Sequence, residues 1–312
     1  MRHHHAWVLG GLLALATLTA VVMVTPLSRA HTQLAQSAPH CFWKVSSPTT
    51  VLYFVGSVHV LKQEMEQEIA PLLEMTLPFL QQAHTVVFEM SFDWTRQDAY
   101  QNLIADRWID TDRTIYEIVS ADTIAVLNQT MAELSLELAK LQRLKPWALR
   151  DVLIEAQRKK IGWQHQYGLD QRFFKQAKEA QKKIVYLETA QEAWERFEAK
   201  ANRLDAMPDE KQEQYLLETV RSLKEIEHIS ATLIKAALAC DLSVLEKLLF
   251  QMEDQELHEF VLRRRNWQWL GKLETFLQQE GAFFVVVGLG HLLGPENVLH
   301  LLTERGYAVE QF

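Results

Sequence analysis

Continuous apolar runs near both ends of the chain predict buried strands. Val51–Val55 and Phe283–Val287 are unbroken, β-rich apolar runs, and each is followed by a glycine. Runs of this kind suit strands that are buried on both faces. A second strand is predicted over Thr85–Glu89, after a stretch with helical spacing over Lys62–Ala83. Strand, helix and strand in this order predict a βαβ unit with parallel strands.

The middle of the chain has a helical pattern. Apolar residues recur at helical spacing from about residue 95 to residue 280, most regularly over Leu216–Leu238 and Leu257–Leu277. One short β-rich segment, Lys183–Thr189, interrupts this region. It predicts a further strand over residues 184–188, which ends in a glutamate.

Prolines mark expected helix boundaries. Pro71 and Pro78 are expected to break or kink the first helix, because proline removes a backbone donor and clashes with the preceding turn. Pro295 is acceptable at a first helical position. A helix is therefore expected from near Pro295 to about Arg305, before a final short strand over Tyr307–Val309.

Together these elements predict an α/β (α+β) fold. A central mixed or parallel sheet is expected from the N-terminal and C-terminal strand-rich halves, with a long, mostly helical insertion between them. Residues 41–312 are expected to form a single domain. A chain of 312 residues with 48% hydrophobic and 23% charged residues can bury a core of useful size.

The charge of the chain argues against a nucleic-acid partner. The net charge is −8, and no basic stripe of the kind that nucleic-acid binders carry is present. The longest basic run is Arg263-Arg264-Arg265, on a predicted helix. It is interpreted either as a solvated helix face or as part of a site.

The N-terminus resembles an export signal. A positive start precedes an apolar run from Ala6 to about Val24, and small residues stand before a cleavage site expected after Ala30. The run is also close to the minimum length of a membrane-spanning helix. Residues 1–30 are therefore expected to be a signal peptide or a membrane anchor. The protein is expected to be exported, periplasmic or extracellular, and possible tethering to the inner membrane stays open.

The chain has two cysteines, Cys41 and Cys240. In an oxidising compartment they can pair, although their separation in space does not follow from the sequence. Two unpaired, partly buried cysteines are the other interpretation. Their spacing matches no zinc finger.

Two segments share the design Gly-x-x-His after an apolar strand. They are Gly56–His59 and Gly288–His291. In an open α/β sheet, ligands bind at the carboxyl ends of the strands, so both histidines are expected at the rim of one crevice. A single such histidine is more often structural, but two copies together favour a functional site.

Two carboxylates stand at comparable positions. Glu89 and Glu188 each close a predicted strand. A carboxylate there is costly unless it is paired, hydrogen-bonded or bound to a metal. A helix cap or a structural ion pair is the alternative for each. Arg265, followed by Asn266, can clamp a carboxylate or stabilise developing negative charge.

Imidazole and carboxylate together suit manganese, cobalt or zinc. His59, Glu89, Glu188 and His291 together would make a site of mixed imidazole and carboxylate ligands. A bound ion would lower the pKa of its water, and a carboxylate could act as the base instead of as a ligand. His-Glu-x-x-His, Gly-x-Ser-x-Gly and phosphate-loop signatures are absent from the sequence.

These blocks resemble the TraB/GumN proteins, relatives of the Tiki metalloproteases. The resemblance rests on ordered blocks from about residue 42 to residue 309, which include Tyr53–Val60, Phe88-Glu89, Gly168-Leu169-Asp170, Leu187–Thr189, Arg265-Asn266 and Val287–Gly294. It implies a sheet built from two halves, a site at the paired Gly-x-x-His segments, and divalent-metal-dependent peptidase activity. By the same resemblance, the expected metal ligands are His59, Glu89 and His291, and the expected catalytic residues are Glu188, Arg265 and Asn266. Asp170 belongs to a matching block without an assigned chemical role.

The expected function is thus an exported metal-dependent hydrolase, a peptidase by resemblance, acting on a peptide or small-molecule substrate. One alternative is a protein that binds haem, iron or a small ligand without catalysis. Another is a metal-free hydrolase that uses histidine and glutamate directly on water. The sequence names neither the substrate nor the metal nor the oligomeric state.

Overall fold

Six strands form one mixed sheet in the computed structural model, which describes residues 40–91, 104, 107–109, 112–250 and 259–312. The order of the strands across the sheet is β4-β3-β5-β2-β1-β6. The strands are β1 (Phe42–Ser46), β2 (Thr50–Ser57), β3 (Thr85–Phe88), β4 (Lys183–Tyr186), β5 (Gly281–Gly288) and β6 (Ala308–Gln311).

Four neighbouring strands run parallel. β2 pairs with β5, β5 with β3, and β3 with β4. β1 lies antiparallel to both β2 and β6. The two strand-rich halves therefore form one sheet, as predicted, and the C-terminal strand β5 lies between the N-terminal strands β2 and β3. As a result, the carboxyl ends of β2, β3, β4 and β5 meet at one edge.

Helices supply most of the rest of the described chain. They are α1 (Glu66–Gln82), α2 (Ala121–Glu133), α3 (Leu138–Leu141), α4 (Pro146–Lys160), α5 (Leu169–Glu179), α6 (Ala190–Asp205), α7 (Asp209–Ser222), α8 (Ile226–Ala239), α9 (Leu242–Phe250), α10 (Arg264–Leu277) and α11 (Val298–Glu304). A π-helical turn, Glu259–Arg263, leads directly into α10.

The two prolines do not break the first helix, so the predicted break is wrong. α1 continues through Pro71 and Pro78, and both prolines lie on its exposed face. The carbonyl groups that lose a partner, those of Gln67 and Glu74, belong to exposed residues that water can reach. The opposite face, which includes Leu80, is buried in the core and holds the helix together.

Two other predicted helices have different limits. The stretch Leu216–Leu238 is divided between α7 and α8 by a 3₁₀ turn, Leu223–Glu225. The last helix begins at Val298 rather than near Pro295, because the Asn297 side chain accepts a hydrogen bond from the His300 amide and caps it there. The predicted start of a helix at Leu257 lies outside the described residues.

The described residues form two separate hydrophobic cores. One lies against the sheet and includes the strand residues Phe54 and Val285. The other lies within the helical insertion, around Trp147 of α4 and Leu216 of α7. The strand β4 belongs to the sheet although its sequence lies within the insertion. The chain passes from the sheet to the second core directly after the carboxyl end of β4, where α6 begins.

A disulfide links the insertion to the sheet. Cys41, just before β1, is bonded to Cys240, which follows α8, with their Cα atoms 5.0 Å apart. The pairing that the sequence left open is therefore present. In the described part of the chain, no helix is long and apolar enough to cross a membrane. The expected signal or anchor, residues 1–30, lies outside the described residues.

Candidate active site

The carboxyl edge of the parallel strands gathers the side chains that the sequence singled out. His59 follows β2, Glu89 follows β3, Glu188 follows β4, and His291 follows β5. Parallel pairing in register brings these four strand ends side by side. Glu89, Glu188 and His291 are at least 95% buried, with exposures of 5%, 4% and 2%. Groups so deeply buried require partners.

Arg265 is the centre of the buried network. Its Nη2 donates to Glu89 Oε2 at 2.6 Å, its Nε donates to Glu188 Oε1, and its Nη1 donates to His291 Nε2 at 2.9 Å. Burial alone lowers the pKa of Arg265, but the charges and hydrogen bonds of Glu89 and Glu188 outweigh burial and raise it above its ordinary value. The guanidinium therefore stays charged and holds two carboxylates and an imidazole in fixed positions.

The first turn of α10 explains how two neighbouring residues reach the site. Arg265 and Asn266 are both 2% exposed, whereas the side chains of Arg263 and Arg264 are 51% and 63% exposed. The arginine run thus turns only its last member inward. One turn later, Trp269 stacks on the Arg265 guanidinium, with the ring centroid 4.7 Å from Cζ.

Glu188 is held from several sides. Besides Arg265, Trp269 Nε1 donates to its Oε1 at 3.1 Å, and Arg196 donates to its Oε2 at 2.8 Å. The next residue, Thr189, caps α6 through reciprocal hydrogen bonds with Glu192. Both oxygens of the Glu188 carboxylate therefore accept hydrogen bonds from protein donors, and these bonds fix the position of Glu188 in the network.

His291 lies inside the same network. Its Nδ1 lies 2.7 Å from Asn266 Oδ1, and its Nε2 faces the Arg265 donor. Because arginine only donates, Nε2 carries the lone pair and Nδ1 carries the proton. The Asn266 amide is fixed in turn by its hydrogen bond to the Glu296 carbonyl at 3.0 Å. His291 is thus a neutral imidazole with a polar partner on each nitrogen.

His59 has different surroundings. Its side chain is 32% exposed, and its Nδ1 lies 2.8 Å from Asp170 Oδ2. A carboxylate can only accept, so Nδ1 carries the proton and the carboxylate stabilises an imidazolium if one forms. Gly168 allows this approach, because a Cβ there would lie 2.6 Å from the His59 carbonyl oxygen and 2.5 Å from Asp170 Oδ1.

A gap separates His59 from Glu89. Nε2 of His59 lies 3.7 Å from Glu89 Oε1, and that oxygen also accepts the Gly288 amide at 2.6 Å. Two acceptors that face each other at this distance suit a shared proton, a water molecule or a cation. The absence of a side chain at Gly288 keeps the gap open, since a Cβ would lie 2.9 Å from His59 Nε2 and 3.1 Å from Glu89 Oε1.

The donor pair of His59 and Glu89 fits a divalent cation. An ion bound to imidazole nitrogen and carboxylate oxygen lies about 2.0–2.2 Å from each, which a separation of 3.7 Å accommodates. His291 Nε2 also lies 4.0 Å from Glu89 Oε1, but its lone pair faces Arg265. Among the described residues, no group of three or more metal-ligating side chains converges. His291 would therefore become a third ligand only if Arg265 released it.

All six residues expected from the sequence lie together at this edge. Further residues contact the network without having been assigned a role from the sequence, among them Asp170, Arg196, Gly168 and Trp269. Asp170 lies 111 positions from its partner His59, so no local pattern connects the two. The signal that marked Asp170 was its membership of a block shared with a known family.

The chain is similar to known proteins over most of its length. The chain is 24% identical over 254 residues, 80% of this chain and 87% of the relative, to the uncharacterized protein YbaP of Escherichia coli (strain K12). The same figures hold for the uncharacterized protein YbaP of Shigella flexneri. No solved structure is significantly similar to the chain. The model of the TraB/PrgY/gumN family matches residues 41–311, and the protein belongs to that family.

Proposed function

We propose that the protein is a hydrolase in which His59 and Glu89 activate a water molecule. The observation that carries this proposal is the open gap between His59 Nε2 and Glu89 Oε1. Around it, Arg265, Glu188 and His291 are held by protein partners. A water molecule in the gap can donate to both acceptors, so its oxygen is directed away from them toward the crevice.

The chain supplies the groups for such a step. As the water oxygen bonds to an electrophilic carbon of the substrate, its proton passes to His59 Nε2, and Asp170 stabilises the imidazolium. The proton then passes to the leaving group. Glu89 stays ionised beside Arg265 and orients the water. His291, Asn266 and Glu188 keep Arg265 in place through the hydrogen bonds described above.

Metal dependence is a second form of the proposal, because an Nε2 lone pair of His59 that binds a cation cannot also take the proton from water. His59 and Glu89 are the residues that would hold a divalent cation such as manganese, cobalt or zinc. Such an ion lowers the pKa of its water and polarises a carbonyl group. Peptides are proposed as substrates because the sequence blocks resemble the Tiki peptidases. Export is proposed because the N-terminal sequence resembles a signal, and the Cys41–Cys240 disulfide suits an oxidising compartment.

The experiment compares the full-length wild type with His59→Ala and Glu89→Gln. Hydrolysis of quenched fluorescent peptides and of para-nitrophenyl acetate is followed before and after chelation, and bound metals are measured by mass spectrometry. His300→Ala is the matched control, because that imidazole is 55% exposed and pairs with Glu304. We expect kcat to fall by about 10²- to 10⁴-fold in the two site variants and to be unchanged in the control.

The metal measurement separates two forms of the proposal. About one ion per chain, lost in both site variants together with activity, supports a metallohydrolase. Activity that survives exhaustive chelation supports direct use of histidine and glutamate. Hydrolysis at the same rate in wild type and His59→Ala would contradict the proposal. The haem-binding alternative stays a prediction, and a hemin titration of the same samples tests it through the Soret band.

A further inference from the structure

Among the described residues, the Ser57 side chain has no hydrogen-bond partner although it is buried. Ser57 ends β2, is 2% exposed, and its Oγ has no hydrogen-bond partner in the part of the chain that the structure describes. Buried hydroxyl groups are ordinarily hydrogen-bonded. Thr76 in α1 shows the usual case, since its Oγ1 donates to the Leu72 carbonyl at 2.7 Å. The Ser57 hydroxyl is therefore an exception, and its proton can be donated to a bound ligand.

The sheet register shows which way Ser57 points. Ser57 pairs with Gly288 across the parallel strands β2 and β5, and paired residues in adjacent strands place their side chains on the same face. On that face, a side chain at Gly288 would meet His59 Nε2 and Glu89 Oε1. Ser57 thus lies one strand away from the gap and faces the same side.

The groups of the gap do not use the Ser57 hydroxyl. His59 Nδ1 is directed to Asp170, and Glu89 Oε1 accepts the Gly288 amide. The hydroxyl proton of Ser57 is therefore available to an acceptor that enters beside Gly288. In the proposed reaction, the substrate group that the water oxygen attacks lies beside Gly288, next to the water.

We infer that the Ser57 hydroxyl donates a hydrogen bond to the carbonyl oxygen of the substrate. This inference rests on the proposed hydrolysis and narrows its substrates to carbonyl compounds, namely esters and amides. The water oxygen bonds to the carbonyl carbon, its proton passes to His59, and the electron pair of the C=O double bond moves to the carbonyl oxygen. Ser57 would stabilise the negative charge that develops there.

Ser57→Ala tests the inference through activity and stability together. With para-nitrophenyl acetate and quenched fluorescent peptides as probes, we expect kcat to fall about 100-fold, as on loss of an oxyanion donor. KM should stay within about threefold, because the contact strengthens only in the transition state. The melting temperature should stay the same or rise by about 2 °C, since the variant removes an unsatisfied buried group. Ser57→Thr keeps the hydroxyl and should retain most of the activity.

Thr76→Ala is the matched control, because it removes a buried hydroxyl that has a partner within its own helix. It should lower the melting temperature and leave kcat unchanged. A wild-type kcat in Ser57→Ala, or a fall in its melting temperature as large as that of Thr76→Ala, would overturn the inference while leaving the hydrolysis intact. Equal rates in wild type and His59→Ala would instead overturn the proposed hydrolysis, and the inference with it.

Discussion

The two Gly-x-x-His segments have the same spacing and the same place after a parallel strand, yet their histidines have opposite surroundings. His59 is partly exposed, its Nδ1 is paired with a carboxylate, and its Nε2 faces an open gap. His291 is buried, its Nδ1 is paired with an amide, and its Nε2 faces Arg265. An identical motif thus supplies two groups with different chemistry.

The partner on Nδ1 accounts for much of this difference. A carboxylate such as Asp170 stabilises the positive charge that an imidazole gains when it takes up a proton. The Asn266 amide is neutral, and Arg265 adds a positive charge next to His291. His59 is therefore suited to receive a proton, whereas His291 is suited to accept a hydrogen bond and hold Arg265. The contrast can be tested by removing each partner in turn.

The largest effect is expected on the His291 side, from Arg265→Ala. Glu89 and Glu188 would remain buried without their shared cation, and breaking such a buried ion pair costs about 3–5 kcal/mol. We expect a loss of that size in the free energy of unfolding, measured by urea denaturation. Arg264→Ala is the control, because Arg264 is 63% exposed and such surface changes cost less than about 0.5 kcal/mol. Similar stability in the two variants would show that Arg265 does not hold the network.

A second effect is expected on the His59 side, from Asp170→Asn. An amide at this position can donate to Nδ1, which moves the imidazole proton to Nε2 and removes the lone pair that faces the gap. We expect kcat to fall by about 100-fold or more, with little change in stability. Asp209→Asn serves as the control, because Asp209 pairs with Arg113 and its side chain is 46% exposed. An unchanged kcat in Asp170→Asn would contradict the role given to the carboxylate.

The smallest effect is expected at the cap that follows Glu188. A hydrogen bond from the Thr189 amide lowers the pKa of Glu192 below its ordinary value of 4.5. The ionised carboxylate therefore adds stability above about pH 4.5, and this is lost as the pH falls through the lowered pKa. Thermal unfolding between about pH 5 and pH 3 should be less pH-dependent in Glu192→Gln than in the wild type. Glu195→Gln, in the same helix, should behave like the wild type, and equal pH dependence in both variants would argue against the cap.

The sequence predicted much of the fold because its strongest signals are local. Apolar runs such as Val51–Val55 specify buried strands, and the strand-helix-strand order implies parallel strands. The expected direct pairing of β2 with β3 is wrong, because β5 lies between them. Helix limits were less predictable. Proline counts against a helix interior by propensity, but the buried face of α1 outweighs that cost. Near Pro295, the Asn297 cap and the left-handed backbone of Glu296, with φ at 53°, place the helix start later.

The site was predictable where its residues follow strands. Glycine, histidine and glutamate at strand ends mark His59, Glu89, Glu188 and His291 without knowledge of the tertiary structure. The partners of these residues come from distant positions, so their pairing depends on how the insertion packs. No local sequence pattern predicts the hydrogen bond from Arg265 to His291 or the contact of His59 with Asp170. Those contacts are what make the two histidines different.

The most direct test of that difference is chemical rescue with free imidazole. His59→Ala and His291→Ala would each be assayed for hydrolysis of the same quenched fluorescent peptides at increasing imidazole concentrations. We expect saturable recovery of activity in His59→Ala alone, because that side chain is partly exposed at the gap, while the His291 side chain is 3% exposed. Recovery in His291→Ala but not in His59→Ala, or full activity of His59→Ala without imidazole, would contradict the assignment of His59 as the group that takes the proton.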